Sequence, residues 1–361
     1  MSTQPDLLYS ETEDDLRAAV RSLLTDRSQA SGVLARAETG EPYDAGLWTS
    51  LAADMGTAGL LVPEKLGGQG ATHREAAVVL EELGRTVTPA PYLSSSVIAT
   101  ETLLALDSEA DEVAGLLKRL AGGRTVAVLA LPLSTAPGAG LSEGETVTGV
   151  ADAVTADVLL VPRPDGLYAV ERADATVVPQ TALDLTRPLA SVTVGDAGGT
   201  RLADAETAAA AVRRGLLAGA GLLASEQLGV AEWCLEETVR YTRERHQFNR
   251  PVGSFQALKH RMAQLWLEVV NARAAARNAA DALATGSAEA PLAVSVAQAY
   301  CSRVAVHAAE ECVQLHAGIG MTWEHPAHLY LKRAKADEIA LGTPGRHREA
   351  LAELVSLPSP R

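Results

Sequence analysis

The sequence predicts a mainly α-helical protein with a small β domain in the middle of the chain. Helical periodicity dominates residues 11–120 and returns from residue 204 onward. Between them, residues 124–203 carry short β-prone runs that alternate with Gly, Pro and Asp turns. We therefore expect three domains, an N-terminal helical domain, a middle β domain and a C-terminal helical bundle, over residues 1–122, 123–204 and 205–361.

The N-terminal region opens with a clear helix signal. In the segment SETEDDLRAAVRSLL, Ser10 is a good N-cap, acidic residues follow it, and apolar residues recur at spacings of three and four. Further along, Pro63, Gly67 and Gly68 predict a turn between helices. The middle region then offers the runs TVAVLAL, DVLLVP, YAVERA and SVTVG, which indicate a small antiparallel sheet or barrel.

The C-terminal region predicts long helices joined by short turns. Residues 206–248 include LLAGAGLLASEQLGVA, which is apolar almost all round and therefore indicates a buried central helix. The remaining helical stretches complete a bundle. They cover residues 255–284, 291–316, 325–340 and 343–354.

Composition excludes several partners. The chain has 361 residues and a formal net charge of -14, which opposes binding to nucleic acid and to anionic lipid surfaces. Its longest apolar helical run, residues 215–224, is half of the roughly 20 residues of a membrane span, so we expect no membrane insertion. The start of the chain lacks a secretory signal, and Cys234, Cys301 and Cys312 form no CxxC pair. We expect buried reduced thiols and a cytoplasmic protein.

Three short motifs carry a family resemblance. Residues 47–93 contain a VPE-x-x-GG-x-G block followed by EELGR, and residues 241–256 resemble Y-x-x-x-R-x-x-F-G-x-x-I-x-x-x-Q, with Asn249 in place of the usual glycine. The segment QLHAGIGMTWEHPAHLYLKRAKADEIALGT resembles Q-x-x-G-G-x-G-x-x-x-E-x-P and its downstream elements. On these motifs the chain is identified as a member of the acyl-CoA dehydrogenase family, which implies two helical domains enclosing a β domain around FAD.

The residue types in these motifs suit a dinucleotide. A guanidinium offers a planar fork of donors to a diphosphate, amides can bond ribityl or adenosine-side oxygens, and glycines such as Gly318 and Gly320 allow close backbone approach. The resemblance implies that the matching Arg and Gln positions reach across a dimer interface to FAD held mainly by the neighbouring subunit. Read alone, Arg245 also fits a surface ion pair. The predicted FAD-binding residues are Arg245, Phe248, Gln256, Gln314, Ala317, Gly318 and Thr343.

No catalytic base is predicted. The family's commonest base lies in a Y-E-G-T motif, but this chain has ALGT there, which puts Leu341 at the base position. A second subgroup carries its base on the first bundle helix, and the corresponding positions here are near Gly219 and Ala220. Since none of these residues can accept a proton, Asp337 and Glu338 are the first candidates for a displaced base.

The remaining polar residues near these motifs have simpler interpretations. Asp337 and Glu338 are more typical of exposed helix carboxylates, and Glu324 matches a structural family position. His325 and His328 lack the spacing of an HExxH motif, so we expect no metal site.

The β domain has lost elements that family members use to contact flavin and thioester. In place of a T-E-P-x-x-G-S-D run and a W-I-S/T strand, the chain has LPLSTAPGAG and TGVADAVTADVLLV. The resemblance therefore implies a base-lacking partner subunit of an α2β2 acyl-CoA dehydrogenase. Its complex would act on an acyl-CoA, such as a sterol-derived or other bulky CoA ester, and would pass electrons to an electron-transfer flavoprotein or similar acceptor. Two alternatives stay open, a self-sufficient homodimer with a displaced base and a flavin-free scaffold subunit.

Overall fold

The N-terminal part of the protein is helical, as predicted. The structure, a computed structural model, describes residues 7–37, 39, 41, 43–140, 145–195 and 198–357. A capping box starts the first helix, since Ser10 Oγ accepts the Glu13 N–H while the Glu13 carboxylate accepts the Ser10 N–H. The helices are α1 (Glu11–Arg27), α2 (Ala30–Ala37), α3 (Ala45–Thr49), α4 (His73–Thr86), α5 (Thr100–Leu104) and α6 (Asp111–Ala121).

The middle of the chain forms two small sheets. The strands are β1 (Ala127–Leu129), β2 (Thr146–Ala151), β3 (Val158–Arg163), β4 (Gly166–Glu171), β5 (Ala175–Gln180), β6 (Leu189–Val194) and β7 (Thr200–Asp204). One sheet has the order β1-β3-β4-β7 and the other β2-β6-β5. The predicted small β domain is therefore confirmed, but its strands form two sheets, and one pair of strands is parallel. Because the chain leaves the first sheet after β1 to form β2 in the second, it returns as β3 parallel to β1.

The C-terminal part is a bundle around one long buried helix. Its elements are α7 (Ala205–Glu244), the hairpin strands β8 (His246–Gln247) and β9 (Arg250–Pro251), α8 (Gln256–Ala284), α9 (Ala290–Leu315), α10 (Ala327–Asp337) and α11 (Pro344–Leu354). Helix α7 packs against α4, α8 and α9. It ends four residues earlier than predicted, because residues 246–251 turn back on themselves as a hairpin.

Two glycines allow α4 and α7 to cross at backbone contact distance. A Cβ atom on Gly84 would lie 2.1 Å from the Glu226 carbonyl oxygen, and one on Gly229 would lie 2.0 Å from the Glu81 carbonyl oxygen. Neither position can hold a larger residue without moving a helix. The glycine of the EELGR motif therefore serves to join the N-terminal domain to the bundle.

A buried ion-pair network joins the β domain to the bundle. Arg187, between β5 and β6, contacts Glu226 of α7 and Asp337 of α10, each at 2.7 Å. Arg333 of α10 contacts Asp184 at 2.5 Å and also binds Glu226. All five side chains are buried. The expectation that Asp337 is an exposed helix carboxylate is therefore wrong, since it lies inside this domain junction.

Two predictions from composition can be compared with the structure. The three cysteines are free and buried, as expected. Among the helices of the described ranges, none combines the length and the apolar character that crossing a bilayer requires.

Candidate functional site

Leu341, at the position of the family's commonest base, lies inside the protein. Its side chain is 1% exposed and its backbone N–H donates to the Leu133 carbonyl at 2.7 Å. A Cβ atom on Gly219, at the second base position, would lie 3.2 Å from Leu341 Cδ1 and 2.6 Å from Ile98 Cγ1. Two positions that are 122 residues apart in sequence therefore meet at one apolar point.

The space around this point is nearly filled. A cavity of about 30 Å³ remains there, lined by Ser94, Ile98, Leu129, Leu131, Pro132, Leu133, Ala151, Leu216 and Leu341. Small-molecule sites usually enclose about 300–1,000 Å³. The cavity can therefore hold a water molecule but not an acyl chain.

Introducing a carboxylate here should destabilise the protein without creating activity. For Leu341→Glu we expect a loss of about 3–5 kcal/mol in unfolding free energy, because a buried carboxylate would lack a cationic partner. For Leu341→Met, which keeps the volume, we expect a loss below about 1.5 kcal/mol. Thermal unfolding of both variants and acyl-CoA turnover by the isolated chain test this. An active Leu341→Glu chain would show that the cavity opens.

Arg245 lies at the C-terminal end of α7, followed by the hairpin. Its side chain is exposed and forms no hydrogen bond or ion pair with any residue that the structure describes. At the tip of the hairpin, Phe248 and Asn249 have φ values of 53° and 63°. Asn tolerates this left-handed conformation, which explains how it replaces the family's glycine. The turn presents Phe248 to solvent with 86% of its surface exposed.

The second group of predicted cofactor residues surrounds the end of α9. Gln314 is exposed in the last turn, Ala317 has a φ of 52°, and a Cβ atom on Gly318 would have no neighbour within 4 Å. The His316 ring stacks on Tyr241 with centroids 4.3 Å apart. Because Tyr241 is one turn before Arg245, this stack brings both groups to the same end of the bundle.

Gln256 and Gly320 complete the description of this end. Gln256 is exposed at the first position of α8, and its Nε2 lies 3.5 Å from the His260 Nε2 atom. Gly320 is different from Gly318, because a Cβ atom there would lie 2.5 Å from the Val313 carbonyl oxygen. Gly320 is therefore required for packing against α9, and Gly318 alone leaves the backbone open to a ligand.

Thr343 lies at the other end of the bundle. It caps α11, where its Oγ1 accepts the Arg346 N–H at 3.3 Å. Arg346 and His347 line a cavity with Val294 at the start of α9. About twenty residues of α9 separate Val294 from Gln314, which corresponds to about 30 Å. The sequence grouped Thr343 with Arg245 and Gln314, but within one chain the structure does not bring them together.

The end of the bundle that carries Arg245 fits the diphosphate part of FAD. It offers a guanidinium without a partner, an amide at Gln314 and an open backbone at Gly318, and these are groups that bind phosphate and ribityl oxygens.

Four exposed apolar side chains on the hairpin and in the turn after α9 were not anticipated from the sequence. Phe248, Ile319, Met321 and Trp323 are exposed, with Met321 at 77% and Trp323 at 56%. We call these four side chains the apolar rim. The available signal was the presence of large apolar residues within turns, where polar residues are usual. Patches of this kind mark interaction surfaces.

The two candidates for a displaced base, Asp337 and Glu338, lie outside the small cavity beside Leu341. Asp337 is enclosed by the ion-pair network, and Glu338 follows it at the end of α10, half-buried. Neither residue lines the cavity beside Leu341. A larger cavity of about 360 Å³ lies between the β domain and the bundle, where it includes Leu133, Asp184 and Arg187. The charged groups of Asp184 and Arg187 are already paired inside the network.

Family models match both helical parts of the chain. The model described as the acyl-CoA dehydrogenase N-terminal domain matches residues 10–123, and that for the C-terminal domain matches residues 208–355. The chain is 36% identical to acyl-CoA dehydrogenase IpdE2 of Mycolicibacterium smegmatis, over 96% of this chain and 98% of that protein. It is 37% identical to IpdE2 of Mycobacterium tuberculosis, over 96% and 97%.

Solved structures of two-chain complexes share the whole fold. A chain of the ChsE4-ChsE5 complex from Mycobacterium tuberculosis superposes with a TM-score of 0.86 at 25% identity, covering 98% of this chain and 100% of that one. A chain of the Tcur3481-Tcur3483 steroid ACAD, a G363A variant, gives a TM-score of 0.85 at 26% identity, with 96% and 98% covered.

Proposed function

The chain belongs to the acyl-CoA dehydrogenase family, and from that membership we propose that it is the base-lacking subunit of a FAD-dependent, heterotetrameric acyl-CoA dehydrogenase. In this proposal a partner chain supplies the base and the thioester pocket. The present chain contributes part of the flavin site. The complex desaturates the α,β bond of an acyl-CoA thioester.

The nearly filled apolar site at Leu341 carries this proposal. Desaturation needs a carboxylate that removes the α-proton while the β-hydrogen leaves as hydride, and it needs room for the acyl chain. In this chain the family's two base positions are occupied by Leu341 and Gly219, which lie next to each other at a cavity of about 30 Å³. A chain with this interior depends on another subunit for proton abstraction.

The separation between the two groups of predicted cofactor residues supports a flavin shared between chains. Arg245 and Gln314 lie at one end of the bundle and Thr343 at the other. We propose that Arg245, Phe248, Gln256, Gln314, Ala317 and Gly318 of this chain bind the diphosphate side of FAD seated mainly in the partner. FAD, when bound there, accepts the hydride. Thr343, which lies at the other end of the bundle, is not included in this group.

The apolar rim supports a permanent partner. Aromatic and Met side chains are enriched in the centres of protein interfaces, and exposure to water would be unfavourable for Phe248 and Met321. Heteromeric relatives, the ChsE4-ChsE5 complex and the Tcur3481-Tcur3483 steroid ACAD, support assembly with a second family member. Because the second of these complexes is a steroid ACAD, we propose a steroid-derived or similarly bulky CoA ester as substrate. We propose an electron-transfer flavoprotein as the electron acceptor.

Reconstitution tests the proposal. The chain is purified alone and after co-expression with family members that retain a base, and mass, flavin absorbance and acyl-CoA turnover are compared. We expect no turnover from the isolated chain. The complex should have two copies of each subunit, bound FAD and activity. A yellow, active homodimer of this chain would refute the proposal, and a colourless complex would favour a scaffold role.

A substitution in the apolar rim tests whether this surface forms the subunit interface. We expect Phe248→Ser to weaken assembly by about 2 kcal/mol or more, about 30-fold in Kd, as for a central aromatic residue of an interface. Val178→Ser, which removes an exposed apolar side chain from the β domain, serves as the matched control. Equal effects of the two substitutions would place the interface elsewhere.

A further inference from the structure

Three potential metal ligands from separate elements meet near the end of α7. They are Glu237 of α7, His316 after α9 and His325 before α10. Glu237 Oε1 lies 3.5 Å from His325 Nε2 and 3.9 Å from His316 Nε2, and the three ligand atoms lie within 4.8 Å of one another. From the sequence, only His325 and His328 were considered as possible metal ligands. In the structure His328 faces the Trp323 ring instead.

The His316 side chain has a ring nitrogen, Nε2, that faces this cluster and is unpartnered in the part of the chain that the structure describes. The ring is fully buried, and its Nδ1–H donates to the Cys312 carbonyl at 2.6 Å. In the neutral ring this contact leaves Nε2 as an acceptor, and Nε2 has no hydrogen-bond partner within the described residues. A buried acceptor that faces a carboxylate is unfavourable unless a proton or a metal cation lies between the two groups.

The Glu237 carboxylate is suited to provide the negative charge. Its two oxygens accept hydrogen bonds from Arg240 Nε and Nη2, at 2.8 Å and 2.5 Å. The carboxylate faces the two imidazole Nε2 atoms from the end of α7.

We propose that Glu237, His316 and His325 bind a divalent transition-metal ion of the Zn²⁺ type. Two imidazoles and one carboxylate are donors that such ions prefer, whereas Mg²⁺ and Ca²⁺ prefer oxygen ligands alone. Tetrahedral bonds of about 2.05 Å place ligand atoms about 3.3 Å apart, close to the separations of 3.5 Å and 3.9 Å. A water molecule completes the fourth position. The carbonyl partner of His316 Nδ1 is the usual support for a metal-bound imidazole.

Two existing contacts must break when the ion binds. Arg240 holds both Glu237 oxygens, at 2.5 Å and 2.8 Å, but its own side chain is 57% exposed and can return to water. His325 Nδ1 accepts the Ala327 N–H at 3.2 Å, and this contact is lost when the proton moves to Nδ1. The Ala327 N–H is at the first position of α10 and is buried, so the loss of its acceptor is a cost of binding the ion.

The role of the ion is structural. It connects the end of α7 to the turn after α9 and to the start of α10. These segments carry Tyr241, Arg245, Gln314 and Gly318. An ion that fixes them together also fixes the guanidinium and the open backbone relative to each other.

Metal titration of the full chain tests the site. After treatment with a chelator, the protein is titrated with Zn²⁺ in a calorimeter and with Co²⁺ in a spectrophotometer. We expect one equivalent of each ion to bind, with the visible absorption of four-coordinate Co²⁺. Glu237→Gln and His325→Gln should weaken binding at least about 100-fold, the upper end of the effect of supporting residues. His328→Gln, a neighbouring histidine outside the cluster, should leave the affinity unchanged.

A gain-of-affinity variant keeps the test decisive if a ligand variant fails to fold. Arg240→Gln removes the competing guanidinium, so it should bind Zn²⁺ up to about fivefold more tightly, since an exposed ion pair contributes about 1 kcal/mol or less. Absence of saturable one-to-one binding in the parent chain would overturn the proposal. Unchanged affinity in both ligand variants, or in Arg240→Gln, would also overturn it.

Discussion

Replacing Arg245 with alanine is expected to release flavin from the reconstituted complex while the two chains remain assembled. The guanidinium is exposed and free of partners among the described residues, so its removal leaves the fold intact. A charge-assisted hydrogen bond to a phosphate contributes about 1.5–3 kcal/mol, which predicts a rise in Kd for FAD on the order of 10- to 100-fold. Flavin content after gel filtration and FAD titration of the stripped complex measure this effect.

Arg243→Ala is the matched control for Arg245→Ala. Arg243 is also exposed in the last turn of α7, and its removal changes the net charge by the same amount. It belongs to no predicted cofactor motif. If Arg243→Ala lowers the flavin affinity as much as Arg245→Ala does, the effect is one of general charge. If neither variant loses flavin, the diphosphate is bound elsewhere.

The sequence predicted the helical bundle well because each helix carries its own local signals. The apolar face of α7, the Ser10 capping box and the turn glycines act over distances of a few residues. The motif around Gln314 also identified residues that the structure shows to be exposed at the end of α9. The end of α7 was misplaced, since the hairpin at Phe248 depends on two residues in the left-handed conformation.

Long-range pairings were beyond sequence reasoning. Nothing in the periodicity of α10 distinguishes a buried Asp337 from an exposed one, because its burial is decided by Arg187 from the β domain. The meeting of Glu237, His316 and His325 likewise depends on how three elements pack. The position of Thr343, far from Gln314, follows only from the length and direction of α9.

The buried network should respond very differently to two substitutions on α10. Asp184, Glu226 and Asp337 supply three carboxylates, and Arg187 and Arg333 supply only two guanidinium groups. Asp337 Oδ2 has no hydrogen-bond partner in the described structure. Burial and the charge of Glu226 raise the pKa of Asp337 to about 8, despite the opposing charges of Arg187 and Arg333. We therefore expect Asp337 to carry the proton that balances the network.

Arg333→Met should destabilise the chain by about 3–5 kcal/mol in unfolding free energy, because buried carboxylates lose their counter-charge. Asp337→Asn should not destabilise the chain at pH 7, since an amide resembles the protonated acid, takes up no proton on folding, and keeps an oxygen for Arg187 to bind. Denaturant unfolding of the two variants measures this difference. A cost for Asp337→Asn equal to that of Arg333→Met would mean that Asp337 is ionised in the folded protein.

The pH dependence of the unfolding free energy is a sharper test of whether Asp337 is protonated in the folded protein. An unfolded Asp has a pKa of about 3.9, so between pH 4 and pH 8 the folded state binds the extra proton and its stability falls as the pH rises. Asp337→Asn removes this contribution. The variant should therefore gain stability relative to the parent chain as the pH increases across that window and stop gaining above it. Unfolding free energies of both proteins at pH 5, 7 and 9 decide the matter, and a constant difference would place the excess proton on another carboxylate.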